Sequence, residues 1–244
     1  MKIVAIIQAR MGSSRLPGKM MKLINNKPII WHVINNVKTV KSINSIVIAT
    51  STEKNNDILI EEVKKYGVDV FVGSENDVLD RYYQAAKTFK ADVIVRITAD
   101  CPLIDSEVVE RVIEVFKENK CDYASNTLPP SYPDGLDVEV FSFDTLEKTW
   151  KEAKQESERE HVTSYMKVGK NESKFKKINI KNKEDLSHIR LTLDYEEDFN
   201  LIKEIIERIN KNQIHLSDIL ELIKKDPRLL NINNKFERNN GEKR

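Results

Sequence analysis

The chain opens on Ile3-Val4-Ala5-Ile6-Ile7, an unbroken apolar run without polar alternation. Such a run predicts a strand buried on both faces, as in the interior of a parallel sheet. After an intervening loop, Ile29, Ile30, Val33, Ile34, Val37 and Val40 recur at helical spacing behind Pro28, whose missing N–H costs nothing in a first turn. The alternation then repeats, with strands predicted over 45–50, 68–72 and 93–97 and helices over 57–66, 78–89 and 106–116. Strands alternating with helices in this way predict an α/β protein, a three-layer sandwich around a mostly parallel sheet.

Beyond Cys121 the pattern loosens. Pro129, Pro130, Pro133 and Gly135 mark a loop, and the alternation of apolar and acidic residues from Leu136 to Phe141 predicts a strand. Phe143, Leu146, Trp150 and Ala153 form one helical stripe, residues 155–170 are helical in composition, and 176–180 reads as a short strand. Ile189, Leu191 and Leu193 alternate with Arg190, Thr192 and Asp194, which predicts a half-buried strand ending on a carboxylate. A final amphipathic helix carries Phe199, Ile202, Ile205, Ile206 and Ile209, and from Asn231 onward the polar chain is expected to fray.

Composition narrows the classes. With 244 residues the chain has room for one large domain or two small ones, at roughly 150 residues per domain. Its 40% hydrophobic and 32% charged residues, with a mean hydropathy of −0.49, describe a globular protein with a well-hydrated surface. Forty Lys and Arg against 39 Asp and Glu leave no global field to draw in nucleic acid or an anionic membrane. The apolar runs are strand-sized, well short of the roughly 20 residues of a membrane span. The apolar start is too short for a secretory signal, so a cytoplasmic location is the default. Cys101 and Cys121 are too few for a disulfide framework or a zinc site and suit a reducing compartment.

Several chemistries are excluded by counting. The glycines, at 12, 18, 67, 73, 135, 169 and 241, provide no G-x-G-x-x-G, and Gly18-Lys19 is followed by Met20 rather than a P-loop hydroxyl. Neither H-E-x-x-H nor G-x-S-x-G occurs, and none of the four histidines has a second ligand at metal spacing in the sequence. What remains is the loop behind the first strand, because ligands of open α/β sheets bind beyond the carboxyl ends of strands. There Arg10, Arg15 and Lys19 supply three cations, Ser13 and Ser14 supply hydroxyls, and Gly12 allows close approach of the backbone, a set suited to a polyphosphate.

The stretch Ala9-Arg10-Met11-Gly12-Ser13-Ser14-Arg15-Leu16-Pro17-Gly18-Lys19 resembles the signature of the cytidylyltransferases that activate acidic sugars, the CMP-Kdo and CMP-sialate synthetases. The likeness is strongest to the branch labelled spore coat polysaccharide biosynthesis protein SpsF, and it runs from residue 3 to about residue 210. It implies a nucleotide-diphospho-sugar transferase (GT-A-like) sandwich, with a single domain over 1–230 and a polar tail over 231–244. Within that domain, 1–120 would form the nucleotide-binding half and 121–230 the acceptor-binding and dimerisation half.

The resemblance also assigns roles. Gln8, Ala9, Arg10, Gly12, Ser13, Lys19 and Arg81 would bind the nucleotide, and Arg10, Arg15, Lys19 and Asp100 would carry catalysis. Asp100 ends the strand over 93–97 and precedes Pro102, like the aspartate of the CMP-Kdo synthetase Gln-Gly-Asp-x-Pro segment, although Thr98 and Ala99 depart from that pattern. Asp194, before the acidic start of a helix, resembles the second metal aspartate, so Asp100 and Asp194 would hold Mg²⁺. Read without the resemblance, both residues also suit helix or turn capping.

On the acceptor side, period two puts Asp137 and Glu139 on one strand face, and His161 in Glu158-Arg159-Glu160-His161 is the third candidate. Arg96, inside an apolar strand, needs a carboxylate or a ligand to offset its burial. The expected partners are CTP, a small acidic or phosphorylated sugar and a second copy of the chain, contacting through residues 123–165. A glycosyltransferase would be a rival, but its usual Asp-x-Asp motif is absent. The same loop would also serve a uridylyl or guanylyl transferase acting on a sugar 1-phosphate, or a non-catalytic nucleotide-binding subunit.

Overall fold

The computed structural model describes residues 1–167 and 169–238. In chain order its elements are β1 (Ile3–Gln8), β2 (Leu23–Ile24), β3 (Lys27–Pro28), α1 (Ile29–Val37), β4 (Ser45–Ser51), α2 (Asp57–Lys64), β5 (Asp69–Gly73), α3 (Val78–Thr88) and β6 (Val93–Thr98). They continue as α4 (Ser106–Asn119), β7 (Tyr123–Ser125), β8 (Glu139–Ser142), α5 (Phe143–Glu152), α6 (Glu156–Glu160), α7 (Ser164–Lys167), β9 (Lys177–Asn179), α8 (Glu196–Ile209) and α9 (Leu216–Lys225). Seven strands make one sheet in the order β5-β4-β1-β6-β8-β7-β9. All neighbours are parallel except β8, which runs antiparallel to both β6 and β7.

The apolar run of β1 is buried on both faces because it is central. Ile3, Ala5 and Ile7 enter one hydrophobic layer with α1, α4, α8 and α9. Val4 and Ile6 enter the other, with α3, α5 and α7. Each layer is a helical stripe laid on the sheet, so the expected three-layer sandwich is the observed one. Among the described residues no helix is long and apolar enough to cross a membrane.

The second half departs from its pattern in several places. The strand expected over 136–141 is confined to Glu139–Ser142, and β7 is too short, at three residues, to carry a periodicity. Residues 155–170 do not form one helix: α6 ends at Glu160, Val162 adopts φ 55° and α7 begins at Ser164, while Val168 lies outside the described residues. The segment from Ile189 to Leu193 is not a half-buried strand either. All five of its residues are buried, and among the described residues its only bridge is Arg190 to Asp134. It is extended chain inside the core, tied by Asp134 N–H to Ile189 O (2.9 Å), Leu191 N–H to Asp134 O (2.7 Å) and Leu193 N–H to Asp100 O (2.8 Å).

The helix over residues 196–209 is not the last, because α9 follows it. Nor does the chain fray from Asn231. Asn233 is buried, and its amide donates to Arg190 O at 3.1 Å and to Asp198 at 2.9 Å. Residues 231–238 are docked by Ile232 against the core and otherwise by polar and stacking contacts, which no hydrophobic period records. Residues 239–244 of the expected tail lie outside the described part.

Candidate functional site

The strand ends place the site. β1 and β6 are parallel neighbours in register, Gln8 opposite Thr98, so the chain leaves both at the same edge of the sheet. From β1 it enters the loop carrying Arg10, Gly12, Ser13, Arg15 and Lys19, and from β6 it enters Ala99-Asp100. The buried segment before α8 delivers Asp194 to the same point. Gln8, Ala9, Arg10, Gly12, Ser13, Arg15, Lys19, Asp100 and Asp194 accordingly line one cleft of about 420 Å³.

At its centre the Lys19 ammonium lies 3.1 Å from Asp194, 3.6 Å from Asp100 and 2.7 Å from Leu193 O. Arg15 reaches the same oxygen of Asp194 at 2.7 Å, and Arg190 approaches the other at 3.4 Å. Burial pushes the Asp194 carboxyl up, but Lys19 and Arg15 outweigh it and hold the group below its ordinary value. Asp100 is freer. Apart from Lys19 its side chain meets only the Cys101 thiol, at 3.7 Å, among the described residues. Arg10 turns to Glu75 at 2.7 Å.

Arg81 does not reach this cleft. It is 1% exposed on the inner face of α3, where Nε and Nη1 have no hydrogen-bond partner among the described residues. Gln8 Oε1, Thr50 Oγ1 and Glu75 Oε2 are likewise buried and unpartnered, at or just beyond the carboxyl ends of β1, β4 and β5. Such groups each cost about 1–3 kcal/mol unless something bonds them.

A second cavity, of about 530 Å³, adjoins the first and shares Arg10, Arg15, Thr98, Asp100 and Asp194 with it. Asp137, Glu139 and His161 all line it, so the three acceptor-side candidates do converge. Their states differ. Glu139 is held by the Arg96 guanidinium across the β6–β8 pair, by Lys167 at 2.6 Å, by the Tyr123 hydroxyl at 2.5 Å and by the Thr163 hydroxyl at 2.8 Å. Burial works against its charge, yet Lys167 and Arg96 keep its carboxyl far below the usual range. Glu139 is therefore an anchor for two cations in the cavity wall, and it is the carboxylate that Arg96 required. His161 ends α6, which Arg159 ties to Asp77, the N-cap of α3, at 2.5–3.1 Å.

The pattern of residues alone missed Arg190, Asp134, Lys167 and Arg238. Arg190 donates to both oxygens of Asp198 at 2.9 Å and to Asp134 at 3.1 Å. A charge amid apolar neighbours was a signal here, as it was for Arg96. Among the described residues Asp105, Glu107 and His215 also come together, although His215 has no ligand spacing in sequence. Asp105 is a fastening: it caps α4 through Glu107 N–H at 2.8 Å and accepts Leu216 N–H at 2.6 Å, with His215 Nδ1 at 3.0 Å.

Asp134 gives the site a pH signature. Burial, reinforced by the nearby Asp137, pushes its carboxyl from 3.8 up to about 6, against the pull of Arg238 and Arg190. A group whose folded pKa is raised favours the folded state as pH falls through that window, so ionised Asp134 costs stability at neutrality. Glu139 acts in the opposite sense, stabilising at neutral pH and losing its effect on acidification. Asp134→Asn is expected to remove the rise in stability contributed between pH 6 and 3.8, read as a changed slope of urea-unfolding free energy against pH. An identical slope in the variant would place the Asp134 pKa near its ordinary value.

Comparison with known proteins bears on this geometry. The family model described as cytidylyltransferase matches residues 4–225. The spore coat polysaccharide biosynthesis protein SpsF of Bacillus subtilis is 30% identical over 231 residues, covering 92% of this chain and 95% of that protein. The structure of a cytidylyltransferase from Leptospira borgpetersenii superposes with a TM-score of 0.90 at 37% identity, over 94% of this chain and 97% of that one. A CMP:2-keto-3-deoxy-manno-octonic acid synthetase complexed with CTP shares the fold, with a TM-score of 0.65 at 18% identity over 85% of this chain and 99% of that one.

Proposed function

Because the chain belongs to the cytidylyltransferase family, we propose that it moves CMP from CTP to an acidic sugar or related glycan precursor and releases pyrophosphate, in the synthesis of a surface polysaccharide or glycan. The observation that carries this reading is the convergence of Arg10, Arg15 and Lys19 with Asp100 and Asp194 in one cleft, against a second cavity large enough for a sugar. An acceptor oxygen attacks the α-phosphorus in line, and catalysis is chiefly positioning and charge stabilisation. Arg10, Arg15 and Lys19 exchange their carboxylate partners for phosphate oxygens and balance the departing pyrophosphate. The base lies toward β1, where Gln8 lines the cleft and has unused bonding capacity among the described residues.

Asp100 and Asp194 fit a hard divalent cation, since both already flank one positive charge, the Lys19 ammonium, and offer oxygen donors. Mg²⁺ held there would neutralise phosphate charge and lower the acceptor hydroxyl's pKa. Asp137 and His161 face the acceptor, with Glu139 holding Arg96 and Lys167 in the wall. The chain works as a homodimer in contact through residues 123–165.

Calorimetric titration with CTP, UTP, GTP and ATP, each with and without Mg²⁺, tests the reading. CTP is expected to bind at least about tenfold tighter than the others and to gain from Mg²⁺. Binding of a nucleotide sugar but of no triphosphate would instead favour glycosyl transfer. Light scattering on the same sample is expected to give twice the 28.3 kDa chain mass, and a value of one chain would remove the dimer.

A further inference from the structure

The charged wall of the second cavity includes a residue from beyond the family match, which ends at residue 225. After a short helical turn over Pro227–Asn231, the chain runs back across the site. It is pinned on one side by the buried Asn233 amide, bonded to Arg190 O and Asp198. Phe236 stacks on Tyr195 with ring centroids 4.0 Å apart and planes 2° from parallel, while Lys235 pairs with Glu197 at 2.5 Å. On the other side Arg238 donates to Tyr132 O at 3.0 Å and to the Asp137 carboxylate. One short segment thus bridges the wall that carries Asp194 and Tyr195 and the wall that carries Tyr132 and Asp137.

The cations of this cavity are not equally available. Arg96 and Lys167 share a single carboxylate, Glu139, with Arg96 Nε unpartnered among the described residues, and Arg190 is shared among Asp134, Asp194 and Asp198. Arg10, Arg15 and Lys19 belong to the phosphate side. Among the described residues Arg238 meets one carboxylate, Asp137, and it lines the cavity from the C-terminal segment rather than from the sheet. A guanidinium carries more N–H donors than its contacts with Asp137 and Tyr132 use, and its planar fork matches a carboxylate or phosphate. Asn233 and the Phe236 stack hold the segment in place beforehand, so little ordering cost is left for binding.

We propose that residues 232–238 form a strap that completes the acceptor site, and that Arg238 is a specificity-determining residue that binds the anionic group of the acceptor. The proposal rests on the transfer of CMP to an acidic acceptor argued above. Asp137 orients the guanidinium and offers its free oxygen to acceptor hydroxyls, so the pair reads an acid next to a polyol.

The test is steady-state pyrophosphate release by the full chain with CTP, Mg²⁺ and each of two acidic sugars, 3-deoxy-manno-octulosonate and N-acetylneuraminate. Wild type is compared with Arg238→Ala and Arg238→Lys. In Arg238→Ala the KM for the sugar that is turned over is expected to rise at least about tenfold, with Arg238→Lys recovering part of the loss. The KM for CTP stays at its wild-type value, which separates acceptor recognition from a general loss of the site, whereas the melting temperature falls because Asp137 loses its ion-pair partner. An unchanged sugar KM in Arg238→Ala, or an equal rise in the KM for CTP, overturns the role of Arg238. Turnover of neither sugar by wild type, with CTP bound, is instead a failure of the acidic-acceptor reading, and the proposal falls with it.

Discussion

Asp100→Ala is expected to lower pyrophosphate release from CTP by about a thousandfold or more while leaving the fold intact. A divalent cation at transferring phosphates contributes several kcal/mol of charge stabilisation, and about 4 kcal/mol corresponds to that factor. The fold survives because Asp100 serves it through its backbone. Its carbonyl accepts Leu193 N–H at 2.8 Å and the Thr192 hydroxyl at 3.3 Å, and both bonds persist in alanine. Its carboxylate meets only Lys19 and Cys101 among the described residues. Asp194 is a less informative target, since removing it would strip a partner from Arg15, Lys19 and Arg190 together. Kinetics paired with a thermal melt decide the matter: activity within tenfold of wild type would end the metal-binding role of Asp100.

Gly135→Ala is expected to destabilise the protein by about 3 kcal/mol or more, a fall of roughly 6–12 °C in melting temperature for a chain of this size. Gly135 has φ +100°, and a Cβ there would lie 2.5 Å from Leu191 C and 2.7 Å from Leu191 O and Thr192 N. All three are backbone atoms of a buried segment, so no side chain can swing aside. Relief requires shifting the Asp134 bonds to Ile189 and Leu191, and with them the Arg190 cluster. Gly12→Ala is the control, because nothing lies within 4 Å of its added Cβ and its backbone needs no glycine. Thermal and urea unfolding of both variants provide the check, and equal stabilities would show that the 134–136 turn can move without cost.

Both variants act where distant segments meet, which is where reading the chain from its pattern stops short. The strands β1, β4 and β6 and the helices α1, α3 and α4 are legible because each holds five or more residues in one period, and burial of that face is a local property of the chain. That the loop carrying Arg10, Arg15 and Lys19 would line a cleft was legible for a related reason: it directly follows a doubly buried strand, and parallel α/β sheets leave their ligand sites at such ends. The resemblance of residues 9–19 to a nucleotidyltransferase signature then gave those side chains roles.

The second cavity was legible only in part. Period two placed Asp137 and Glu139 on one strand face; the strand begins only at Glu139, yet both line the second cavity, and nothing local showed that Glu139 would be held by Arg96, Lys167, Tyr123 and Thr163. Those partners lie 16 to 43 residues away. Arg190 and Asp134 are 56 residues apart, and Arg238 and Asp137 are 101. Hydrophobic periodicity and neighbouring residues are enough to set the α/β class, the order of the first strands and helices, and the composition of the phosphate loop. Which charges neutralise one another, which carboxylates keep few partners and where the polar C-terminal segment docks were settled by the folded chain, because an ion pair depends on where the chain returns in space and leaves no period along it.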